Sequence, residues 1–291
     1  MKMNPANTLL IIASLLVIGG VGLLIVAGMS QRVRWKPPDP DATPARELSL
    51  DQWRSLASKK IFFAHMSVGR DLLNGVEDLQ KESVDAKLVI LEMSEPGAMT
   101  KPVLAHALLG HNSEPFRKID AFRQMMGSLQ SAPPDVAFMK LCYVDVRHST
   151  DVPKLFAAYA SAMAELQARL PSTRFAHLTV PLCSPARGWV QSLKVLIKRL
   201  VGRADAVADN MKREEFNRLL REAYGAKGSL IDIAEAEASG PQGRCVVRRG
   251  GQLVNCLVPA YTFDGGHLNV TGRRHVAERL LARLAEMTSN P

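Results

Sequence analysis

Short apolar runs alternate along this chain with segments that carry the apolar spacing of helices. Residues 136–139 and 175–180 are almost continuously apolar, which is typical of central strands in a parallel sheet covered on both faces. We therefore predict an α/β fold, a three-layer doubly wound and mainly parallel sheet. The predicted strands span residues 60–64, 87–92, 135–142, 174–180 and 229–233. The predicted helices span residues 48–58, 70–81, 115–129, 153–170, 213–224 and 270–287.

Two longer segments interrupt this alternation, at residues 93–112 and 187–210. Open α/β sheets bind ligands at the carboxyl ends of their strands. Both segments are therefore expected to overhang a site at that edge, as lid or specificity elements. Surface elaboration without a function is the alternative.

The amino-terminal region has a different composition. Residues 9–28 carry no charge and, as a helix, are long enough to cross ~30 Å of hydrocarbon. We interpret them as one uncleaved transmembrane helix, with a cleaved signal peptide ending near residue 28 as the alternative. Residues 32–47 contain several prolines and predict a stiff spacer. The expected organisation is a membrane anchor over 1–31, a spacer over 32–47 and one domain over 48–291.

The charge pattern and the cysteine pattern predict opposite sides of the membrane for the domain. Arg32, Arg34 and Lys36 follow the apolar stretch, and the positive-inside tendency would place the domain in the cytoplasm. Cys245 and Cys256, however, bracket a predicted hairpin and could form a disulfide. Because disulfides persist outside the cytosol, this pairing favours an extracytoplasmic domain.

A second pairing, between Cys142 and Cys183, is also conceivable because each follows a predicted strand. Free buried cysteines are the alternative at all four positions. We favour an extracytoplasmic domain on the periplasmic side.

The chain of 291 residues has a formal net charge of +9, which favours anionic surfaces or acidic polymers. The densest basic group falls on one predicted helix and consists of Lys194, Lys198, Arg199 and Arg203. It fits a membrane-surface or polyanion contact, or an ordinary solvated helix face. No phosphate-cradling loop or nucleic-acid module is present in the sequence. No carboxylate or cysteine partners the histidines in predicted loops, His106, His111 and His148, at ligand spacing, so we expect no metal and no other cofactor.

Asp264 stands three residues before His267 in a glycine-rich stretch that precedes the last predicted helix. An aspartate at this distance can hold an imidazole in one tautomer, as a general base for a serine requires. Ser67, where the first strand of the domain meets a helix, is the candidate nucleophile. As an isolated residue it would equally suit a helix N-cap. In a parallel sheet the two regions meet at one edge, so we predict a Ser67–His267–Asp264 triad.

The last block, Asp264-Gly265-Gly266-His267-Leu268-Asn269 with Gly272, resembles the terminal Asp-x-x-His block of the SGNH/GDSL hydrolases. The resemblance extends over roughly residues 60–285, although only this block is specific by itself. It implies a flavodoxin-like fold, a serine nucleophile at Ser67, and esterase, deacylase or acyltransferase activity. Independently of this resemblance, we expect backbone amides at Ser67 and at Gly110, in the loop after the second predicted strand, to meet at the same sheet edge and stabilise an oxyanion.

The chain departs from the family where an asparagine normally donates to the oxyanion. Aligned on Asp145, that place is held by Val144, which cannot donate a hydrogen bond. Asn112, the Tyr143 hydroxyl or a backbone amide are candidate replacements. His65 shares a strand face with Ser67 and is a further candidate for substrate contact.

Asp145 is predicted either to accept hydrogen bonds beneath the site or to cap a turn. His65, for its part, is equally explained as a structural residue at the end of its strand.

We expect a membrane-anchored serine hydrolase that acts on an O-acyl ester, with a carbohydrate or envelope polymer as candidate substrate. Acyl transfer from the same serine is the first alternative. A catalytically degenerate module that binds a polymer is the second, because Val144 replaces the donor.

Overall fold

The computed structural model describes residues 32–37, 47–82, 87–94, 97, 99–186 and 205–289. The predicted anchor at residues 9–28 and the basic group from Lys194 to Arg203 lie outside this part of the chain. Within the described ranges, no helix is both long and apolar enough to span a membrane.

A six-stranded parallel sheet forms the centre of the domain, in the order β3-β4-β2-β5-β6-β7. Its strands are β2 (Lys60–His65), β3 (Ile90–Glu92), β4 (Val103–Leu108), β5 (Val136–Met139), β6 (Arg174–Leu178) and β7 (Leu230–Ile231). The helices are α1 (Leu50–Ala57), α2 (Val68–Gln80), α3 (Pro115–Ser128), α4 (Val152–Arg169), α5 (Ala206–Tyr224), α6 (Ile233–Ala238) and α7 (Val270–Ser289). The predicted doubly wound α/β class is confirmed.

Strand β2 shows why both sheet faces are covered. Alternate side chains point to opposite faces of a strand, and every residue from Ile61 to Ala64 is fully buried. Ile61 and Phe63 pack into a core shared with α1, α2 and α7, whereas Phe62 and Ala64 join the core beneath α3, α4 and α5. Burial of large apolar side chains on both faces stabilises the three layers by roughly 1.5–3 kcal/mol per side chain.

The chain order reverses between β2 and β5, which are neighbours although β3 and β4 lie on the other side of β2. Such a switch point opens a crevice at the carboxyl ends of the two strands. Ser67 follows β2 and the segment from Cys142 to Asp145 follows β5, so both border this crevice.

One strand of the central sheet was missed by the sequence interpretation. Residues 93–112 were predicted as a long connection, but β4 lies within them and pairs with β2 along its whole length. Its sequence, Val-Leu-Ala-His-Ala-Leu, has one β-branched residue and a histidine in its middle. Pairing with a buried central strand overrides this weak local preference. Gly110 therefore follows β4 rather than the shorter edge strand β3.

A second, antiparallel sheet joins β1 (Val33–Lys36), β9 (Gly243–Arg249) and β10 (Gln252–Asn255), with β8 (Ser239–Gly240) also paired to β9. Part of the predicted spacer thus forms a strand, β1. The hairpin between Cys245 and Cys256 is confirmed, and Gly250 and Gly251 turn it with positive φ angles of 54° and 80°.

The suggested disulfides are not present. Cys245 and Cys256 are adjacent across the hairpin, where the Cys256 amide donates to the Cys245 carbonyl at 3.0 Å. Nevertheless, all four cysteines are buried and free, so their pairing no longer supports an extracytoplasmic location.

Candidate active site

Ser67 occupies a sharp turn between β2 and α2. Its backbone has φ 52° and ψ −114°, and its side chain makes no capping bond to the helix. The hydroxyl instead lies 2.6 Å from the Nε2 atom of His267. A serine in this left-handed region stores roughly 1–3 kcal/mol of strain. The turn therefore directs the hydroxyl away from its own helix and towards the imidazole.

This strain predicts a difference between two inactive variants. Glycine adopts φ 52° without the Cβ penalty, although it also has more conformational freedom to lose on folding. We expect Ser67→Gly to have a free energy of unfolding about 1 kcal/mol higher than that of Ser67→Ala. Urea denaturation of the two variants measures the difference, and equal stabilities would mean that the turn is unstrained.

His267 and Asp264 form a closed hydrogen-bonded turn. The His267 Nδ1 atom lies 2.6 Å from Asp264 Oδ2, while the backbone amides of Gly266 and His267 donate to Asp264 Oδ1 at 2.9 and 2.7 Å. Partial burial acts to raise the pKa of Asp264, but the hydrogen bonds from His267 and Gly266 outweigh it and hold the pKa below its usual value. The charged carboxylate therefore accepts a hydrogen bond from the Nδ1–H group, which leaves Nε2 as the acceptor facing Ser67.

Three other elements fix this turn. Thr262 and Leu268 form an antiparallel bridge, and the Leu268 amide donates to Asp71 Oδ2 at 3.1 Å. The Ser184 amide donates to the Gly265 carbonyl at 2.8 Å. Asp71 lies in the first turn of α2, the helix that follows Ser67. Its carboxylate therefore connects this helix to the turn that carries His267. Burial raises the pKa of Asp71 in spite of that amide bond.

Two aromatic rings flank the His267 imidazole. Tyr143 meets it edge-on with the ring centroids 5.8 Å apart, and a Cβ on Gly266 would lie only 2.8 Å from the Tyr143 ring. Burial raises the pKa of Tyr143 to about 12, so its hydroxyl remains protonated at neutral pH. Phe263 lies nearly parallel to the imidazole, at 14° and 6.1 Å between centroids.

A buried ion pair lies beside the crevice. Lys118 of α3 and Asp145 are both fully shielded from solvent in their side chains and approach to 2.7 Å. Lys118 Nζ also donates to Asn112 Oδ1 at 3.0 Å, and the Ser113 amide donates to Asp145 at 2.7 Å. Because an ammonium group can only donate, the Asn112 oxygen must face Lys118. The Asn112 Nδ2 group is thereby directed away from the ion pair.

The Asp145 carboxylate is also connected, through Cys142, to the turn that carries Ser67. The Cys142 amide donates to Asp145 Oδ2 at 2.6 Å, and the Cys142 thiol donates to the Met66 carbonyl at 3.3 Å. Arg213, on α5, donates from Nε to the Tyr143 carbonyl at 2.9 Å. The loops after β2, β4 and β5 are thus joined through buried polar contacts.

Gly110 is close to Ser67 by strand register. His65 pairs with Leu108, and the Leu109 amide donates to the His65 carbonyl at 2.9 Å. Gly110 and Ser67 each lie two residues beyond this pair, in the turns that follow two adjacent parallel strands. Gly110 is exposed and has φ 54°, so its backbone turns where β4 ends.

His65 does not reach the crevice, which corrects the suggestion that it contacts a substrate. Its side chain is fully buried, and its Nε2 atom lies 3.3 Å from Nδ1 of His106, a residue of β4 rather than of a loop. Burial, with lesser effects from Lys140, His106 and Arg70, lowers the pKa of His65 to about 2. The ring also packs against Gly69, where any added Cβ would lie 2.5 Å from the ring atom Cγ of His65. His65 therefore supports the turn from below.

The structure brings together Ser67, His267, Asp264 and Tyr143, and it places Asp145 beneath the site as a hydrogen-bond acceptor. Sequence reasoning missed Lys118, Asp71 and Arg213. Lys118 lies four residues before the buried Phe122 on α3, so a lysine on the apolar face of a helix was the available signal. Asp71 and Arg213 offered no signal beyond their helical context.

No family model matches this chain, and no curated protein matches it by sequence. Solved structures with a similar fold include the periplasmic domain of a lipopolysaccharide acetyltransferase from Salmonella ser. Paratyphi A, at 11% identity over 82% of this chain and 90% of that one, with a TM-score of 0.46. A carbohydrate esterase family 3 protein from Talaromyces cellulolyticus has 14% identity over 80% and 98% of the two chains, with a TM-score of 0.44. A GDSL-like lipase from Parabacteroides merdae has 12% identity over 77% and 94%, with a TM-score of 0.43. Similarities of this size do not identify a function for this chain.

Proposed function

We propose that this protein is a serine hydrolase of SGNH type that cleaves an O-acyl ester. The observation that carries the proposal is the continuous chain of hydrogen bonds from Ser67 Oγ through His267 to Asp264, with both contacts at 2.6 Å. A serine hydroxyl is a weak nucleophile unless an oriented base takes its proton. Ser67, His267 and Asp264 are connected in the order nucleophile, general base and orienting carboxylate, as this chemistry requires.

In the proposed reaction, Ser67 Oγ attacks the ester carbonyl while its proton moves to His267 Nε2. The carbonyl oxygen becomes an oxyanion, which the backbone amides of Ser67 and Gly110 and the Asn112 Nδ2 group stabilise. The carbon–oxygen bond to the alcohol then breaks as His267 returns the proton to the leaving oxygen. Water, activated by the same imidazole, releases the acyl group from Ser67.

Asn112 takes the place of the missing asparagine in this proposal. Val144 offers no side-chain donor, but Lys118 holds the Asn112 oxygen and leaves its amide nitrogen for another acceptor. Gly110, two residues earlier, belongs to the same loop. The oxyanion donors would therefore come from the loop after β4 rather than from the loop after β5.

Anchoring is part of the proposal. Residues 9–28 would cross the membrane as one helix, and β1 begins only a few residues after them.

The test uses the full-length protein in detergent with short acetyl esters as donors. We expect turnover by the parent, with free acetate as the product in water. Addition of a carbohydrate acceptor distinguishes the two reactions, because a transferase would form acetylated sugar in place of acetate. A folded parent that turns over no ester and transfers no acyl group would contradict the proposal and favour a binding module.

A further inference from the structure

We propose that Phe263 forms the subsite for the alcohol part of the substrate, and that this alcohol is a sugar ring. The inference rests on the proposed function. It adds that the enzyme selects its substrate by the alcohol part of the ester and not by the acyl part.

Phe263 is unusually exposed for an apolar side chain. At 73% it is the most exposed large hydrophobic residue in the described part of the chain. A single exposed apolar side chain is not unusual in itself. Here the ring stands beside the general base, so its exposure concerns the site directly.

The exposed ring is held on a well-connected turn. The bridge between Thr262 and Leu268 closes the segment, and the Gly265 amide donates to the Thr262 hydroxyl at 2.9 Å. The Gly265 carbonyl also accepts from Ser184. These bonds position Phe263 before any ligand arrives, which lowers the entropic cost of binding.

The reaction determines which part of the substrate meets this ring. When the ester bond breaks, its electron pair goes to the alcohol oxygen and His267 Nε2 supplies that oxygen's proton. The alcohol oxygen must therefore lie within hydrogen-bond reach of Nε2. The atoms next to it lie beside the imidazole, which Phe263 flanks on one side and Tyr143 on another. Phe263 is thus expected to contact the alcohol and not the acyl group.

The composition of the turn that carries Phe263, before the exposed Val270 at the start of α7, favours a sugar over an alkyl chain. Among residues 262–269 the other large apolar side chain is Leu268, which is buried, and the remainder are polar or glycine. A pyranose ring offers one apolar C–H face and polar edges, which match a single aromatic face in a polar setting. A long alkyl alcohol would need a contiguous apolar patch.

The experiment compares two acetyl esters with the same acyl group, one of methyl glucopyranoside and one of methanol. We expect Phe263→Ala to lower kcat/KM for the sugar ester by on the order of 10-fold and for methyl acetate by less than about 2-fold. Phe263→Trp should retain the sugar preference. Trp35→Ala, which removes an exposed aromatic from the small sheet, should change neither value.

Equal losses of kcat/KM on both esters would mean that Phe263 only supports His267. No loss on either ester would mean that Phe263 does not contact the substrate. Either result overturns the inference while leaving the hydrolase proposal intact. A larger Phe263→Ala effect on a long-chain alkyl acetate than on the sugar ester would overturn the sugar assignment. A parent that cleaves no ester would instead contradict the proposed function itself.

Discussion

Replacing Ser67 with alanine is expected to lower kcat/KM for a short acyl ester by about 10⁴-fold or more. The hydroxyl that approaches His267 to 2.6 Å is then lost, and with it the nucleophile that the imidazole activates. His267→Ala should produce a comparable loss because the serine then keeps its proton. The double variant should be little worse than either single one, since the two residues act in one step.

The control for this comparison is Ser128→Ala, which removes an exposed hydroxyl at the end of α3 and should leave kcat/KM unchanged. Circular dichroism and urea denaturation establish that each variant remains folded. Losses that add in the double variant would mean that Ser67 and His267 serve separate steps, which is inconsistent with a triad.

Breaking the buried ion pair should have a large effect on stability. Lys118→Met leaves the Asp145 carboxylate without its cation at a fully shielded position, and we expect the free energy of unfolding to fall by about 3–5 kcal/mol. The double variant Lys118→Met/Asp145→Asn removes both charges but keeps an acceptor oxygen for the Cys142 and Ser113 amides, and it should recover part of that loss. Urea denaturation measures both values.

Turnover should not recover with stability. In the double variant nothing holds the Asn112 oxygen, so its amide nitrogen loses the orientation needed at the oxyanion. We expect kcat to stay lower by on the order of 10²–10³-fold, and Asn112→Ala should show a similar loss with little change in stability. Recovery of kcat in the double variant would show that the ion pair serves stability alone.

An exposed ion pair provides the matched control. Arg218 and Glu222 pair at 2.7 Å on α5, with more than half of each side chain exposed. Arg218→Met should lower the free energy of unfolding by only about 0.3–0.5 kcal/mol and leave kcat unchanged. A loss comparable to that of Lys118→Met would mean that burial is not the source of the effect.

The fold class and the position of the triad could be predicted from sequence because they depend on topology. Ser67 and His267 lie 200 residues apart, yet parallel strands with helical connections bring both to one edge of the sheet. Strand β4 could not be predicted, since its residues prefer the strand conformation only once β2 lies beside them.

The polar support of the site was the least predictable part. Alternation predicts that His65 shares a strand face with Ser67, but β2 ends at His65, Ser67 lies in the turn beyond it, and the His65 ring is buried against Gly69. Asp145 offered two interpretations, and only the partners Lys118, Ser113 and Cys142 decide between them. Such contacts join three loops that are remote in sequence, so no local pattern reports them.

The most direct measurement is intact mass after incubation of the full-length protein with a fluorophosphonate, followed by peptide mapping. A hydroxyl activated by His267 should form one covalent adduct, on Ser67, and His267→Ala should abolish it. An unmodified parent, or an adduct on a different serine, would contradict the account.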